Sequence, residues 1–303
     1  MVDESMDVGG LDNLREAGRI ARRVRERALN IVREGLSIVE LCNTLEGLIM
    51  DEGAKPAFPC NICIDEVAAH YTPSIEETSI IPPRSLIKID IGVSLDGYIA
   101  DTAITISLNP LLETLVEAVN TALLEAIKVV KPGVLASTIG GVIQKTLVSK
   151  GFKPIKNLTG HEISRYNLHA GLSIPNVQTS QTDRLQLGRV YAIEPFATTS
   201  DGAGQVVSSP IMTIFRLDIE RVKNRKLSDE EKKLVEMLYE RFDGLPYTTR
   251  WIKEFEKFRE IHMKMVKTGR IYSYPVLVEE RGRPVAQAEH TIIVTEKGCE
   301  ILT

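Results

Sequence analysis

The chain has 303 residues, 41 of them acidic and 37 basic, and a formal net charge of −4, which gives no global attraction to nucleic acid or to an anionic membrane. Its 43% hydrophobic and 26% charged residues are those of an ordinary globular protein, long enough for one large domain or two. No apolar run could span a bilayer, and the acidic start Met1-Val2-Asp3-Glu4-Ser5 lacks the apolar core of a signal peptide, so a cytoplasmic protein with four free thiols is expected.

Leu14, Gly18, Ala21, Ala28 and Ile31 fall on one helical face and predict a helix over residues 11–32. A break at Gly35, a second helix ending near Gly53 and then a strand follow. That strand holds Cys60-Asn61-Ile62-Cys63. Strand residues three apart point to opposite faces, and no second pair completes a zinc site, so these are read as small strand residues. Next comes Lys88-Ile-Asp90-Ile-Gly92, and Asp101 follows beyond Asp96-Gly97. This predicts a β-hairpin with Asp96-Gly97 at its tip. The pairing register then puts Asp90 and Asp101 on one face, roughly 5–8 Å apart. Two carboxylates ~5 Å apart repel by about 3 kcal/mol at an effective dielectric near 20. One is protonated, or cations sit between them.

Val32-Arg-Glu-Gly35 is echoed by Val130-Lys-Pro-Gly133, Gly53 by Gly151, and Lys55-Pro56 by Lys153-Pro154. The constant offset of 98 positions predicts a duplicated helix–helix–strand unit. The second long helix is expected over residues 111–130. Two α+β halves should join their strands into one sheet covered by helices on one side, and a site between the halves would draw side chains from both.

Beyond the repeat, residues 217–269 are strongly charged and helical in pattern. Ser228-Asp-Glu-Glu231 is a capping box followed by Leu234, Leu238 and Phe242 on one face. Trp251, Phe255, Phe258, His262 and Met265 mark a further helix. This segment is expected as a helical insertion. Residues 1–216 and 270–303 then form the main domain.

Three residues join the aspartates as candidate ligands: His161 after a strand, and Glu194 and Glu289 inside apolar strand runs. An ionised carboxylate there is costly unless it is paired or metal-bound. Singly, each is more simply a solvated acid or a core histidine. Together, four carboxylates and one imidazole call for two divalent ions and suit hydrolysis. The oxygen-rich set fits Mn, Fe or Co better than structural zinc. His70 and His169 fit beside them as groups that contact substrate.

Ala-Ala-His70-Tyr-Thr-Pro, Lys-Ile-Asp90-Ile-Gly, Asp101-Thr-Ala, Gly-His161, His169-Ala-Gly, Ala-Ile-Glu194-Pro and Gln-Ala-Glu289-His-Thr together resemble type 2 methionine aminopeptidase, in peptidase family M24. The resemblance runs through nearly the whole chain. It implies the pseudo-twofold pita-bread fold, in agreement with the repeat, and a helical insertion that marks type 2. It implies two divalent ions (Co, Mn, Fe or Zn). Asp90 is then terminal on one ion, Asp101 and Glu289 bridge, and His161 and Glu194 complete the other. His70 and His169 bind substrate, and Phe58 lines the methionine pocket. His70, His169 and Glu194 serve catalysis. The implied reaction is removal of N-terminal methionine from peptides and nascent chains with a small second residue. A hydroxide held between the ions attacks the first carbonyl.

The resemblance is to the archaeal, tail-less form. A monomer is expected, with at most transient contact with the ribosome and no membrane or specific nucleic-acid partner. The run Glu162-Ile-Ser-Arg-Tyr-Asn167 departs from the family's commoner pattern at the pocket rim. Two alternatives stand beside this reading. One is an X-Pro dipeptidase or aminopeptidase of the same fold, which usually carries an extra N-terminal domain. The other is a non-catalytic peptide- or RNA-binding relative, which typically loses ligands that this chain keeps.

Overall fold

The structure, a computed structural model, describes residues 8–224 and 226–303. The acidic start at residues 1–5 lies outside them. Helix α1 (Val8–Ile31) buries Leu14, Ala17, Ala21, Val24 and Ala28 on one side, as the periodicity predicts. Ser37 caps α2 (Ile38–Asp51) by accepting from the Glu40 amide. Strands β1 (Lys55–Ile64), β2 (Val67–Ala69), β3 (Leu86–Leu95) and β4 (Tyr98–Ser107) complete the first half. A 3-10 turn, Pro110–Leu112, leads into α3 (Glu113–Lys128), then α4 (Ala136–Ser149) and β5 (Lys153–Pro154). The second long helix thus starts slightly later than expected, because Pro110 opens a separate tight turn capped by Asn109.

The repeat is realised residue for residue in its central part. Both ends of α4 lie 98 positions beyond the ends of α2. The breaks before and after these helices use glycines with positive φ, Gly35 (77°) and Gly133 (80°), then Gly53 (79°) and Gly151 (86°). Only glycine adopts that backbone without strain.

The second half continues with β6 (Thr159–Ile163), β7 (Ser173–Pro175), β8 (Val190–Ile193), β9 (Phe196–Thr198) and β10 (Val206–Leu217). After α5 (Ile219–Lys223) and α6 (Asp229–Phe242), a 3-10 turn, Thr249–Trp251, precedes α7 (Phe255–Lys267). Strands β11 (Ile271–Glu279), β12 (Val285–Gln287), β13 (His290–Thr295) and β14 (Gly298–Ile301) end the chain. The helices α5 to α7 fill the connection between β10 and β11, which pair antiparallel down to Leu217 opposite Ile271. They carry their own core, including Leu234, Leu238, Tyr247 and Met265. The Ser228 capping box is present, and Trp251 lies in the 3-10 turn rather than in α7.

The strands form four antiparallel ladders, β1-β3-β4, β10-β11-β2, β12-β9-β5 and β14-β13-β8-β6-β7, not the single sheet expected. One of these divisions has a local cause. The runs 190–198 and 285–295 each break in the middle, so β8 pairs with β13 while β9 pairs with β12. Helices α1 and α2 pack on β1 and β3, and α3 and α4 on the second-half strands, giving two main cores. The chain has the mixed α+β pita-bread architecture.

The halves are stitched by threonines. The Thr291 hydroxyl bonds both the N–H (2.8 Å) and the C=O (2.7 Å) of Asp101. The Thr102 hydroxyl donates to Glu289 O (2.9 Å), and the Thr105 hydroxyl to Gln287 O (2.6 Å). Strand β4 of the first half is thereby held against the β12–β13 break of the second.

Candidate functional site

The hairpin turn puts both Asp96 (φ 51°) and Gly97 (φ 82°) at positive φ, as a tight two-residue turn requires. Gly92 then faces Asp101, and Asp90 faces Ala103. The two aspartates are diagonal neighbours on one face, as the register predicts. Glu194 and Glu289 are not inside continuous strands. Each sits at a break, Glu194 between β8 and β9 and Glu289 between β12 and β13. The breaks lie side by side, with the Ala288 amide on Pro195 O (3.2 Å). His161 lies within β6, opposite Ala192 of β8, not after a strand.

These elements bring all eight residues singled out from the sequence to one cavity: Phe58, His70, Asp90, Asp101, His161, His169, Glu194 and Glu289. His161 Nε2 lies 3.6 Å from Asp101 Oδ2 and 3.5 Å from Glu194 Oε1. One donor atom each from Asp101, His161 and Glu289 lies within 4.8 Å of the others. Asp101, His161 and Glu289 are buried. Burial, with Asp101 nearby, pushes the Asp90 carboxyl well above its ordinary range. Burial and then the charges of Asp101 and Asp90 do the same to Glu194. Glu289 is raised by burial, then by Asp101, Glu194 and Asp90.

The donor set fits divalent cations. Asp90 Oδ1 and Asp101 Oδ1 are buried without a hydrogen-bond partner, which is costly unless something positive faces them. A divalent ion there would reverse the repulsion that raises the carboxyls. His161 Nδ1 faces Glu162 O at 3.4 Å, leaving Nε2 towards the carboxylates, the arrangement common for a ligating imidazole.

His70 leaves β2 with φ 66°, and its Nδ1 lies 3.2 Å from Pro275 O. A carbonyl only accepts, so Nδ1 carries the proton. Burial lowers the His70 pKa, so the neutral ring offers Nε2 as an acceptor. His169 packs 4.4 Å from His161, ring to ring. Surrounding protein, followed by His161 and His70, holds it below the usual imidazole range, although the residue as a whole is exposed.

Several residues of the site escaped the sequence reading. Tyr274 of β11 stands 5.4 Å from His70 and 6.4 Å from His169. Gln287 Nε2 donates to Glu289 Oε2 (3.3 Å). Pro246, from the segment after α6, lines the cavity. An amide two residues before a candidate ligand was a usable signal. Pro246 and Tyr274 gave none, since their place depends on how the helical segment folds back.

Residues 12–296 match the model of Metallopeptidase family M24. The chain is 42% identical over 296 residues to a methionine aminopeptidase of Saccharolobus solfataricus, covering 96% of each chain. It is 40% identical over 299 residues to one of Methanothermobacter thermautotrophicus, covering 97% of this chain and 98% of that one. Among solved structures, a thermophilic Arx1 superposes with TM-score 0.83 at 17% identity, covering 98% of this chain and 91% of the other. A methionine aminopeptidase from Thermotoga maritima gives 0.71 at 21%, covering 99% and 98%. These two likenesses show the shared fold. The chain belongs to metallopeptidase family M24, whose hydrolases depend on divalent metal. Within that family it belongs to the methionine aminopeptidases.

Proposed function

We propose that this cavity removes N-terminal methionine from peptides and nascent chains, using two divalent ions held by Asp90, Asp101, His161, Glu194 and Glu289. The observation that carries the reading is the convergence of four carboxylates and one imidazole from both halves on one cavity with Phe58, His70 and His169. Asp90 would hold one ion together with Asp101 and Glu289. His161 and Glu194 would hold the other, with Asp101 and Glu289 available to both. When bound, such ions polarise the first peptide carbonyl and acidify water at neutral pH.

The chain's own residues do the rest. Phe58, buried on β1 and packed against Gly92 of β3, forms an apolar floor for the methionine side chain. His70 Nε2 accepts a hydrogen bond from a substrate N–H near the scissile bond. His169 donates to the carbonyl oxygen as charge develops on it. Glu194 passes a proton from the attacking water to the leaving amine. Pro246, Ile214 and Tyr274 line the same cavity and limit the size of both the first residue and the one after it.

The test is metal-dependent release from Met-Ala-Ser, Met-Pro and Leu-Pro peptides, starting from chelator-treated protein and adding Mn, Fe, Co or Zn in turn. Release of methionine alone is expected. Cleavage of Leu-Pro would assign the X-Pro peptidase reaction instead. No release with two ions bound per chain would sink the proposed substrate.

A further inference from the structure

We propose that the buried ion pair Glu46–Arg250 sets the shape of the first-residue pocket and is a positioning device for specificity. This rests on the aminopeptidase reading above. Neither residue touches the cavity, and neither stood out in the sequence.

Both side chains are only 4% exposed. The pair is bidentate, with Arg250 Nη1 on Glu46 Oε2 and Nη2 on Glu46 Oε1, each 2.8 Å. Burying two charges costs about as much as their attraction returns, so such a pair adds little net stability. What it provides here is a fixed junction of three cavity walls.

The first wall is β1. Its pairing with β3 slips between Phe58 and Asn61, and within that slip the Cys60 amide donates to Glu46 Oε1 (3.1 Å). Cys60 is two residues from Phe58. The second wall is the loop leaving His70 at positive φ. Arg250 Nη2 donates to Thr72 Oγ1 (3.3 Å) and Nε to Pro73 O (3.2 Å). The third wall is the segment carrying Pro246. Arg250 anchors its far end, and Trp251 Nε1 donates to Glu46 Oε2 (2.8 Å). Its near end is held where Tyr247 and Phe215 exchange backbone bonds of 2.8 and 2.7 Å, beside the cavity residue Ile214.

The repeat supplies a contrast within the same molecule. The position 98 residues after Glu46 is Gln144, a neutral amide whose Oε1 accepts from the Gln178 N–H (2.9 Å). The second half therefore has no ion pair at this place. The charge occurs where three separate segments must be brought into register around a substrate.

The experiment compares wild type with Glu46→Gln, Arg250→Met and Arg250→Lys, all metal-loaded, on Met-Ala-Ser and Leu-Ala-Ser. Bound metal and the thermal midpoint are measured alongside kcat and KM. The expected result is unchanged metal content and a preference for Met over Leu reduced about tenfold, chiefly through a higher KM for the methionine peptide. Arg250→Lys should recover part of the preference that Arg250→Met loses. Should Glu46→Gln fail to fold, Trp251→Phe removes one bond of the junction and is read by the same ratio. A preference within about twofold of wild type in every folded variant, even with a lower midpoint, would make the pair a purely structural feature and overturn the inference. A wild type that releases no methionine fails the aminopeptidase reading itself, and this inference with it.

Discussion

At Asp101 the backbone N–H and C=O are both satisfied by Thr291, at 2.8 and 2.7 Å, while Oδ1 is buried without a partner. The backbone is anchored to the other half and the carboxylate is left for a cation. Asp101→Asn should therefore lose tight metal binding and reduce turnover on the order of 10³-fold, read by metal content and rate. Full activity would remove the bridging role. His169 makes a different prediction, because it lines the cavity without meeting the carboxylates in an ion pair. His169→Ala should keep its metals and lose on the order of 10²–10³ in kcat if it donates to the developing oxyanion. An effect confined to KM would make it a binding residue.

The helical segment between β10 and β11 shows which features were legible at the level of elements. Ser228 and Glu231 announced the start of α6 because a capping box is a local device, and both of its bonds are present. Ser228→Ala should lower stability by about 1 kcal/mol, read by urea unfolding. His262 followed the apolar face of α7 in the sequence, and it is fully buried. It stands edge-on to Phe215 and Phe255, with Nε2 3.0 Å from the Tyr247 hydroxyl. Burial pushes its pKa from 6.5 down to about 4. The folded ring is neutral, so the unfolded chain takes up a proton first as pH falls. The stability this gives is present above pH 6.5 and is lost towards pH 4. Shifts of this size correspond to roughly 2–3 kcal/mol. His262→Leu removes the loss, so the gap in unfolding free energy between wild type and variant should narrow by that amount between pH 7 and pH 4. A gap that does not change with pH would mean the ring is not held neutral.

Across the molecule, the candidate ligands divide between the halves. Asp90 and Asp101 come from the hairpin of the first, and His161 from β6 and Glu194 and Glu289 from strand breaks of the second. Without cations, three of the carboxyls are held above their ordinary range by burial and mutual repulsion. Divalent ions should then bind the folded chain far better than the unfolded one. Chelation should lower the unfolding midpoint together with activity. Restoring an ion to about 100 times its Kd should return roughly 2.7 kcal/mol per site. A midpoint indifferent to chelator and ion would show that the halves are joined without their help. Among the described residues, no helix is long and apolar enough to cross a membrane.

The sequence by itself determined what is local or periodic. It specified the helix faces, the capping box, the Asp96-Gly97 hairpin with its same-face aspartates, and the repeat that predicts a shared site. Tertiary structure decided what depends on two distant segments meeting. An acidic residue in an apolar run looks the same whether its strand continues or breaks, so the strand breaks at Glu194 and Glu289, and the split of β8–β13 from β9–β12 that they produce, could not be read. The threonine stitches at 102, 105 and 291 were invisible for a related reason. A threonine in a strand is ordinary, and its hydroxyl acquires meaning only from the carbonyl opposite. Glu46 and Arg250 lie 204 positions apart, and only the packing of the helical segment onto α2 makes them a pair.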